Sequence, residues 1–404
     1  MSITEDLGFS SERLERLDAV LHRYVDDGSL PGVQTLVSRR GQLVHRDLYG
    51  LTDIDAGIKV QEDTIYRIFS MTKPITSVAL MMLFEEGAFL LSDPISQWLP
   101  EFADMEVWVG GTADAPETRP LTTPITVHHV LTHTSGLTYG FQYQHPVDEL
   151  YRGSGIGDFS EQPFDLSECM RLMAAIPLQF EPGTQWNYSM ATDVCGALIE
   201  RMSGLSLAEF FRTRIFDPLG MVDTGFAAPP NEVDRCSTLY VQLPGMEEKA
   251  AFATREAMTV TPPLLSGGGG LVSTADDYLR FSHMLLGGGE LDGVRLLSPH
   301  TLRMMTLNHL PDGKTLNEMG QATFSEVAMA GAGFGLGFSV LVDQAANRSL
   351  GPEGLYSWGG AASTAFWVDP VEQVAVVFMT QLLPSGRHPL RIHLMNGVYQ
   401  ALID

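Results

Sequence analysis

The segment from Ile68 to Thr76, Ile-Phe-Ser-Met-Thr-Lys-Pro-Ile-Thr, constrains the fold more than any other part of the chain. Pro74 has no backbone N–H and is tolerated in a helix only within the first turn, so a helix must begin close to Ser70. The apolar residues that follow as far as Leu83 predict that this helix is long and buried. The segment therefore predicts an extended stretch that runs into a helix, with Ser70 at the positive end.

Ser70 and Lys73 are three residues apart on this predicted helix. Residues at that spacing lie on one helix face, with β-carbons about 5–6 Å apart, so the two side chains are within reach of a shared hydrogen bond. A serine hydroxyl is hardly nucleophilic at neutral pH unless a base lies beside it. Two interpretations stay open at this point: a nucleophile with its base, or a helix cap followed by a solvated lysine.

The composition excludes several classes of protein. The chain has 404 residues, of which 44% are hydrophobic and 18% charged, as is typical of a globular protein long enough for two lobes. Its net charge of −24 argues against a nucleic-acid partner and against an anionic membrane surface. The 3 cysteines lack metal-ligand spacing, so we expect no disulfide framework, no metal and no cofactor.

The start of the chain carries no sign of export. Residues 1–8 are acidic where a secretory signal would be basic, and no apolar run reaches the roughly 18–20 residues needed to span a bilayer. We therefore expect a cytoplasmic protein that binds no membrane. The sequence does not predict an oligomeric state.

Strand patterns lie near both ends of the chain, and helical patterns dominate the middle. A Gly/Thr/Pro-rich tract from Gly110 to Pro124 predicts a surface loop. Strands are predicted at Gly32–Ser38, Leu43–Tyr49, Gly335–Val342, Ser363–Val368 and Val374–Met379. The order predicts the α/β (α+β) class, with a mixed antiparallel sheet flanked by helices in a lobe formed by residues 1–95 and 330–404. Residues 96–329 then form an inserted, mainly helical lobe, and the active site lies between the lobes.

Two further stretches carry candidate site residues. Glu181–Met190 contains Tyr188 just before a predicted helix, either as a proton carrier or as a half-buried tyrosine with one hydrogen bond. Trp358-Gly359-Gly360 enters a predicted strand. Paired glycines there allow the close backbone approach that an oxyanion hole or a ligand edge requires, and the alternative is a bulge.

Together, Ser70-Met-Thr-Lys73, Tyr188 and Trp358-Gly359-Gly360 resemble the serine β-lactamase and penicillin-binding-protein superfamily. More closely, the chain resembles the carboxylesterases related to class C β-lactamases, often called family VIII esterases, which implies a β-lactamase-like fold. The resemblance covers nearly the whole length and includes Leu131–Leu137, Phe216–Met221 and Ser266–Leu271.

The resemblance implies an acyl-enzyme mechanism. Ser70 is the nucleophile, Lys73 and Tyr188 are the general base and acid, and the backbone N–H groups of Ser70 and Ala361 form the oxyanion hole. Which of Lys73 and Tyr188 is the initial base stays open. His133 is expected to be a supporting residue.

Two departures from the class C pattern bear on the substrate. Those enzymes are expected to carry Tyr-x-Asn and Lys-Thr-Gly, whereas this chain has Tyr188-Ser-Met190 and Trp358-Gly359-Gly360. An amide is replaced by a thioether and an ammonium by an indole, which disfavours β-lactams and favours neutral esters. The expected substrate-binding residues are Met190, Trp186, Tyr139, Phe141 and Trp358 with its two glycines, although the aromatic residues fit core packing equally well.

The predicted function is therefore hydrolysis of small-molecule, short-chain carboxylic esters through an acyl-Ser70 intermediate. The alternatives are a β-lactamase, a peptidase or amide hydrolase, an acyltransferase of the same superfamily, or a non-catalytic acyl-binding sensor.

Overall fold

A computed structural model describes residues 3–157, 162–320 and 326–404. The strands in these ranges are β1 (Gly32–Arg39), β2 (Gln42–Asp53), β3 (Ile58–Lys59), β4 (Tyr66–Arg67), β5 (Glu106–Thr112), β6 (Ala115–Pro120), β7 (Leu239–Val241), β8 (Ala250–Ala253), β9 (Val272–Ser273), β10 (Glu290–Leu291), β11 (Val294–Arg295), β12 (Ala332–Phe334), β13 (Ser339–Leu341), β14 (Tyr356–Gly359), β15 (Ala365–Asp369), β16 (Val374–Met379) and β17 (Leu382–Leu383).

The helices within the same ranges are α1 (Ile3–Asp6), α2 (Ser11–Asp26), α3 (Thr72–Glu85), α4 (Val127–Leu131), α5 (Pro146–Gly153), α6 (Leu166–Ala174), α7 (Ala191–Ser203), α8 (Leu207–Phe211), α9 (Asp217–Leu219), α10 (Ala275–Leu286), α11 (Pro299–Met305), α12 (Leu316–Met319), α13 (Gln344–Asn347) and α14 (Leu390–Ala401). A π-helical stretch, Arg212–Phe216, joins α8 to α9.

The main sheet has eight strands in the order β12-β13-β14-β15-β16-β1-β2-β3, and every neighbouring pair is antiparallel. Strands from the two ends of the chain meet at its centre, where β1 pairs with β16. The predicted sheet formed from both termini is thus confirmed, together with the α/β (α+β) fold class.

Each face of this sheet packs on its own set of helices, because side chains alternate along each strand. On β16, Val376 and Phe378 face a core that includes Leu14 and Leu21 of α2 and Leu394 of α14. The intervening residues of β16 face the larger core, which contains most of α3, α7 and α10. Helix α10 packs directly on β16, and α3, which begins next to Ser70, belongs to the same core and packs on α7.

The start of α3 follows the sequence closely. Pro74 lies in its first turn, and every residue from Thr72 to Leu83 is buried. A helix that is apolar on all sides is stable only inside the protein, so burial fixes the position of α3.

The structure corrects two local predictions. The tract Gly110–Pro124 is a loop only at its end, at residues 121–124: up to Pro120, β5 and β6 form an antiparallel hairpin, with a bulge near Gly110. Its strands are mostly exposed and lack apolar alternation, so the usual sequence signal for a strand was missing. The single strand predicted at Gly335–Val342 is instead a turn followed by β13, because Gly337 has φ +94°.

Within the described residues, no helix combines the length and apolar character required to cross a membrane.

Candidate active site

Ser70 lies at a sharp transition between an extended segment and α3. One turn of 3₁₀ helix, Phe69–Met71, precedes α3, and Phe69 has φ +44°, in the left-handed region. Non-glycine residues in such conformations cost about 1–3 kcal/mol and are found mostly at functional sites. The strained turn presents Ser70, which is 8% exposed, at the positive end of the helix.

Lys73 lies one helical turn beyond Ser70 and is 2% exposed. Its Nζ atom contacts three oxygens, which are Ser70 Oγ at 3.2 Å, Tyr139 Oη at 2.9 Å and Gly268 O at 2.6 Å. The contact between the hydroxyl and the amine expected from the three-residue spacing is therefore present. The helix-cap interpretation, with a solvated lysine, does not fit this burial.

Tyr188 reaches the same serine from another part of the chain. Its phenol donates a hydrogen bond to Ser70 Oγ at a distance of 2.5 Å. The preceding residue, Asn187, fixes the approach, because its backbone N–H donates to His133 O and its side chain donates to Leu137 O, each at 2.9 Å. Ser70 Oγ thus lies between a phenol and an amine.

The pKa values of Lys73 and Tyr188 are shifted in opposite directions. Burial lowers the pKa of Lys73 to about 8, against the opposing effect of two nearby carboxylates, Asp193 and Glu326. Burial raises the pKa of Tyr188 well above 10, although hydrogen bonds with Ser70 and Trp358 oppose this. Near neutral pH, the amine loses its proton more readily than the phenol.

His133 supports the phenol through packing. It is buried, with φ +55°, and its ring meets the Tyr188 ring edge-on at 5.2 Å between centroids. Its Nδ1 atom hydrogen-bonds with Ser189 Oγ at 3.1 Å. Burial holds the pKa of His133 well below 6.5, and the Lys73 charge lowers it further, so the imidazole is neutral.

The segment after β14 forms one wall of the site. A Cβ on Gly360 would lie 2.4 Å from Ile68 O, and one on Gly359 would lie 2.3 Å from Arg391 Nη2, so both positions require glycine. Ala361 follows and lines the same pocket as Ser70. The N–H of Ala361 has no hydrogen-bond partner in the described parts of the chain.

A pocket of about 210 Å³ opens beside Ser70. Tyr139, Phe141 and Met190, three of the expected substrate-binding residues, line it together with Leu264. Among the described lining residues there is no arginine or lysine, whereas Asp193 and Glu326 each contribute a carboxyl group; the remaining described lining residues are Phe69, Ser70, Gly157, Gln162, Tyr188, Pro262, Ser266, Gly268, Gly269, Gly270 and Ala361.

The other expected substrate-binding residues lie behind the pocket wall. Trp186 is fully buried, and its ring stacks at 6.4 Å from that of Tyr188. Trp358 is 1% exposed and packs at 5.4 Å from the Tyr188 ring. Neither indole lines the pocket, and neither do Gly359 and Gly360. The core-packing alternative fits both tryptophans, because both indoles are buried and pack against the Tyr188 ring.

Sequence reasoning missed three groups next to Lys73. Gly268 accepts its hydrogen bond, Asp193 bonds to Gly268, and Glu326 lies in the pocket wall. Tyr139 was expected to bind substrate and also contacts the amine. The Gly-rich run Ser266–Leu271 was the one available signal, since backbone can approach closely where Cβ atoms are absent.

No cluster of three or more metal-ligating side chains occurs in residues 3–157, 162–320 and 326–404.

The antiparallel sheet formed by both chain ends, and the cluster of Ser70, Lys73 and Tyr188 at the start of α3, define a protein of the serine β-lactamase class. A family profile described as Beta-lactamase matches residues 17–399, and the chain belongs to that family.

Several relatives are similar over almost their whole length. An uncharacterized protein of Mycobacterium tuberculosis (strain CDC 1551 / Oshkosh) is 37% identical over 376 residues, which cover 92% of this chain and 91% of the relative. Esterase EstB of Burkholderia gladioli is 33% identical over 404 residues, with coverages of 95% and 94%. The solved structure of EstCE1, described as a hydrolase with promiscuous acyltransferase activity, matches with a TM-score of 0.79 at 27% identity and covers 96% of this chain and 99% of that one. These similarities confirm the predicted relation to esterases of the β-lactamase superfamily.

Proposed function

We propose that this protein is a serine carboxylesterase that hydrolyses short-chain carboxylic esters through an acyl-Ser70 intermediate. The observation that carries the proposal is the position of Ser70 Oγ, which is 2.5 Å from Tyr188 Oη and 3.2 Å from Lys73 Nζ. A nucleophile with a base on one side and a proton donor on the other is the arrangement that acyl transfer requires.

In the proposed first step, neutral Lys73 takes the proton of Ser70 while Oγ forms a bond to the ester carbonyl carbon. Lys73 is the initial base because its pKa is lowered to about 8, whereas that of Tyr188 is raised well above 10. The carbonyl π electrons move to oxygen, and the resulting oxyanion accepts hydrogen bonds from the N–H groups of Ser70 and Ala361. One such donor contributes about 3–4 kcal/mol to transition-state stabilisation in other enzymes.

In the second step the bond from carbon to the leaving oxygen breaks. Tyr188 gives its proton to that oxygen, the alcohol departs, and the Lys73 ammonium restores the phenol proton. A water molecule then attacks the acyl carbon and gives a proton to the same pair. The C–Oγ bond breaks, Oγ takes that proton back from the pair, and a carboxylic acid leaves with Ser70 regenerated.

The pocket supports neutral, small esters. Its volume of about 210 Å³ fits a short acyl chain, and Tyr139, Phe141, Met190 and Leu264 provide apolar contacts. A β-lactam carries a carboxylate, and the charged wall groups, Asp193 and Glu326, are acidic. A carboxylate next to them loses binding energy because like charges repel.

A second candidate, acyl transfer to an alcohol, is favoured by the relatives. EstCE1 is described as a hydrolase with promiscuous acyltransferase activity, and the relative calJ of Penicillium decumbens, at 28% identity, is called an acyltransferase. The same acyl-Ser70 intermediate serves both reactions, since an alcohol can replace water in the last step.

Replacement of Ser70 by Ala tests the proposal. We expect loss of p-nitrophenyl butyrate hydrolysis by at least about a thousandfold, because the nucleophile is gone. Intact-mass measurement of the wild type with the same ester should show a butyryl adduct that disappears with time, whereas an acyl-binding sensor would retain it. Nitrocefin turnover comparable to ester turnover would favour a β-lactamase, and added alcohol that diverts product to a new ester would favour the transferase. Full activity of Ser70→Ala would contradict the acyl-Ser70 chemistry.

A further inference from the structure

Asp193 is a buried carboxyl group that the mechanism above does not use. It lies in the first turn of α7, five residues after Tyr188, and is 1% exposed. Burial of an ionisable carboxyl is costly unless its oxygens are hydrogen-bonded or its charge is balanced. Asp193 lines the pocket beside Ser70, where the charge of nearby Lys73 can balance its carboxylate.

The hydrogen bonds of Asp193 lead directly to the proposed base. Its Oδ1 atom accepts from Ser266 Oγ at 2.5 Å and from the Gly268 N–H at 3.1 Å. The carbonyl of the same Gly268 accepts from Lys73 Nζ at 2.6 Å. Gly268 therefore connects the carboxylate to the amine, with its N–H bound on one side and its C=O on the other.

Packing around Gly268 leaves little freedom. A Cβ at this position would lie 2.5 Å from Asp193 Oδ2 and 3.1 Å from Tyr139 Oη. Tyr139 Oη is itself 2.9 Å from Lys73 Nζ. Tyr139 Oη, the Gly268 carbonyl and Ser70 Oγ therefore enclose the amine, and the Asp193 carboxylate packs against Gly268.

These contacts orient the lone pair of the neutral Lys73 amine. A neutral amine has two N–H donors and one lone pair, and Gly268 O can only accept. If the N–H groups bond to Gly268 O and Tyr139 Oη, the lone pair is left facing Ser70 Oγ, the third contact. That is the orientation in which the amine can take the serine proton.

We propose that Asp193 is a positioning residue for Lys73, which holds the Gly268 carbonyl in place and balances the ammonium that forms when Lys73 takes the proton of Ser70. This inference rests on the proposed acyl-enzyme function. It assigns to a residue outside the serine, lysine and tyrosine set a role in orienting the base and in setting its proton affinity.

Other charged and titratable groups around the amine are common to all the variants below. The Glu326 carboxylate is paired with Arg391 Nη2 at 2.7 Å. The remaining titratable groups in the described surroundings of Lys73 and Asp193 are Tyr139, Tyr188, His133, Cys169 and Cys195. These groups are the same in the wild type and in the Asp193 variants, so a change in pH dependence between them is due to Asp193.

The test measures kcat/KM for p-nitrophenyl butyrate against pH. In the wild type, activity should rise with pH through an apparent pKa near 8, because only neutral Lys73 is a base. In Asp193→Asn the amide oxygen still accepts from Ser266 and Gly268, but the negative charge is lost. We expect the rise in activity to move to lower pH by about one unit. Asp193→Ala also loses the acceptor, and kcat should fall about tenfold or more with little change in KM.

A matched control uses another buried carboxyl group. Asp148 is 0% exposed and accepts from Thr138 Oγ1 at 2.7 Å, but it does not bond to Gly268 or Lys73. Asp148→Asn should leave the pH of the rise unchanged, whatever it does to stability. A shift of the same size in Asp148→Asn, or a difference below about 0.2 pH units in Asp193→Asn, would overturn the positioning role.

A second measurement does not depend on turnover. The sequence has four lysines, Lys59, Lys73, Lys249 and Lys314, so a protein with isotope-labelled lysines gives few NMR signals, and a Lys73→Arg variant assigns the one of interest. Its titration should move to lower pH in Asp193→Asn by the same amount as the kinetic shift. A wild type without any esterase activity would contradict the proposed function, and an unshifted lysine signal would contradict this inference.

Discussion

At the scale of single residues, the site depends on the two hydrogen-bond partners of the Ser70 hydroxyl, Tyr188 and Lys73. Ser70 Oγ accepts a hydrogen bond from Tyr188, so its own proton is free to point at Lys73 Nζ, 3.2 Å away. The phenol in turn cannot ionise easily, because burial raises its pKa well above 10. Tyr188 is therefore suited to give a proton to a leaving group rather than to remove one from Ser70.

This division of roles predicts a leaving-group effect in Tyr188→Phe. An alkoxide must be protonated as it departs, whereas p-nitrophenolate departs without a proton. The variant should lose about 10²–10⁴-fold in kcat/KM on ethyl butyrate, the usual size of a general-acid contribution, and much less on p-nitrophenyl butyrate.

Tyr139→Phe serves as its control, because Tyr139 Oη contacts Lys73 but has no hydrogen bond to Ser70. It should reduce activity on both esters by a similar factor. Equal losses on the two esters in Tyr188→Phe would contradict the assignment of Tyr188 as the acid.

Which site residues the sequence predicts depends on how far apart the partners lie in the chain. Ser70 and Lys73 follow from one helical turn, so local spacing is sufficient. Gly268 contacts Lys73 across 195 positions and Asp193 across 75, and no periodicity links such residues. Trp358 was assigned to substrate because it replaces a polar residue of the related enzymes, but an indole at that position is buried against Tyr188 instead.

At the scale of elements, prediction worked where burial decides the structure and failed where turns and exposed strands decide it. The centre of the sheet, β16, reads as a continuous apolar run because helices cover both of its faces. The β5–β6 hairpin has no such signal, since its strands are mostly exposed and rich in Gly, Thr and Pro. Its pairing is specified by backbone hydrogen bonds and a bulge rather than by apolar alternation.

Helix α14 contacts the segment after β14 that forms one wall of the site. Arg391, in the first turn of α14, donates to Gly360 O at 3.0 Å and to Thr364 O at 2.8 Å. It also pairs with the buried Glu326 carboxylate at 2.7 Å. The helix thereby holds the backbone turn that presents the N–H of Ala361.

Replacement of Arg391 by Met should destabilise the protein by about 3–5 kcal/mol, because it leaves the Glu326 charge buried without its partner. The free energy of unfolding in urea measures this, with far-ultraviolet circular dichroism as the probe. The double variant Arg391→Met, Glu326→Gln should recover much of the loss, since no unpaired charge remains. A single variant within about 1 kcal/mol of the wild type would show that the pair is not a stabilising contact.

At the scale of the whole molecule, the sheet joins the two ends of the chain, while Lys73 and Tyr188 meet through segments more than a hundred residues apart. The division into lobes 1–95 with 330–404 and 96–329 remains a prediction. The region 96–329 includes the β5–β6 and β7–β8 hairpins as well as helices, and β17 near the carboxyl end pairs with β7. The site is therefore stable only as long as the entire fold is stable. Acid is one condition that weakens the fold.

Acid should weaken the fold through His128 in α4. Its Nε2 atom is 3.2 Å from His309 Nδ1, and burial, with a smaller electrostatic effect of the neighbouring His309 and His129, lowers the pKa of His128 to about 4. An unfolded histidine has a pKa of about 6.5, so between pH 6.5 and 4 the unfolded chain binds more protons and stability falls as pH falls. Between pH 7 and pH 5 this group alone should cost about 1–2 kcal/mol.

The comparison of His128→Gln with the wild type isolates that contribution. Between pH 7 and pH 5, the free energy of unfolding should fall by about 1–2 kcal/mol less in the variant than in the wild type. Urea unfolding at both pH values measures this difference. Groups that act in the opposite direction, such as Asp277, whose pKa burial raises to about 6, are present in both proteins and cancel in the difference. His300→Gln, at an exposed position, is the control for loss of a histidine side chain as such. If His128→Gln and the wild type lose the same stability, the proton taken up during acid unfolding belongs to another group.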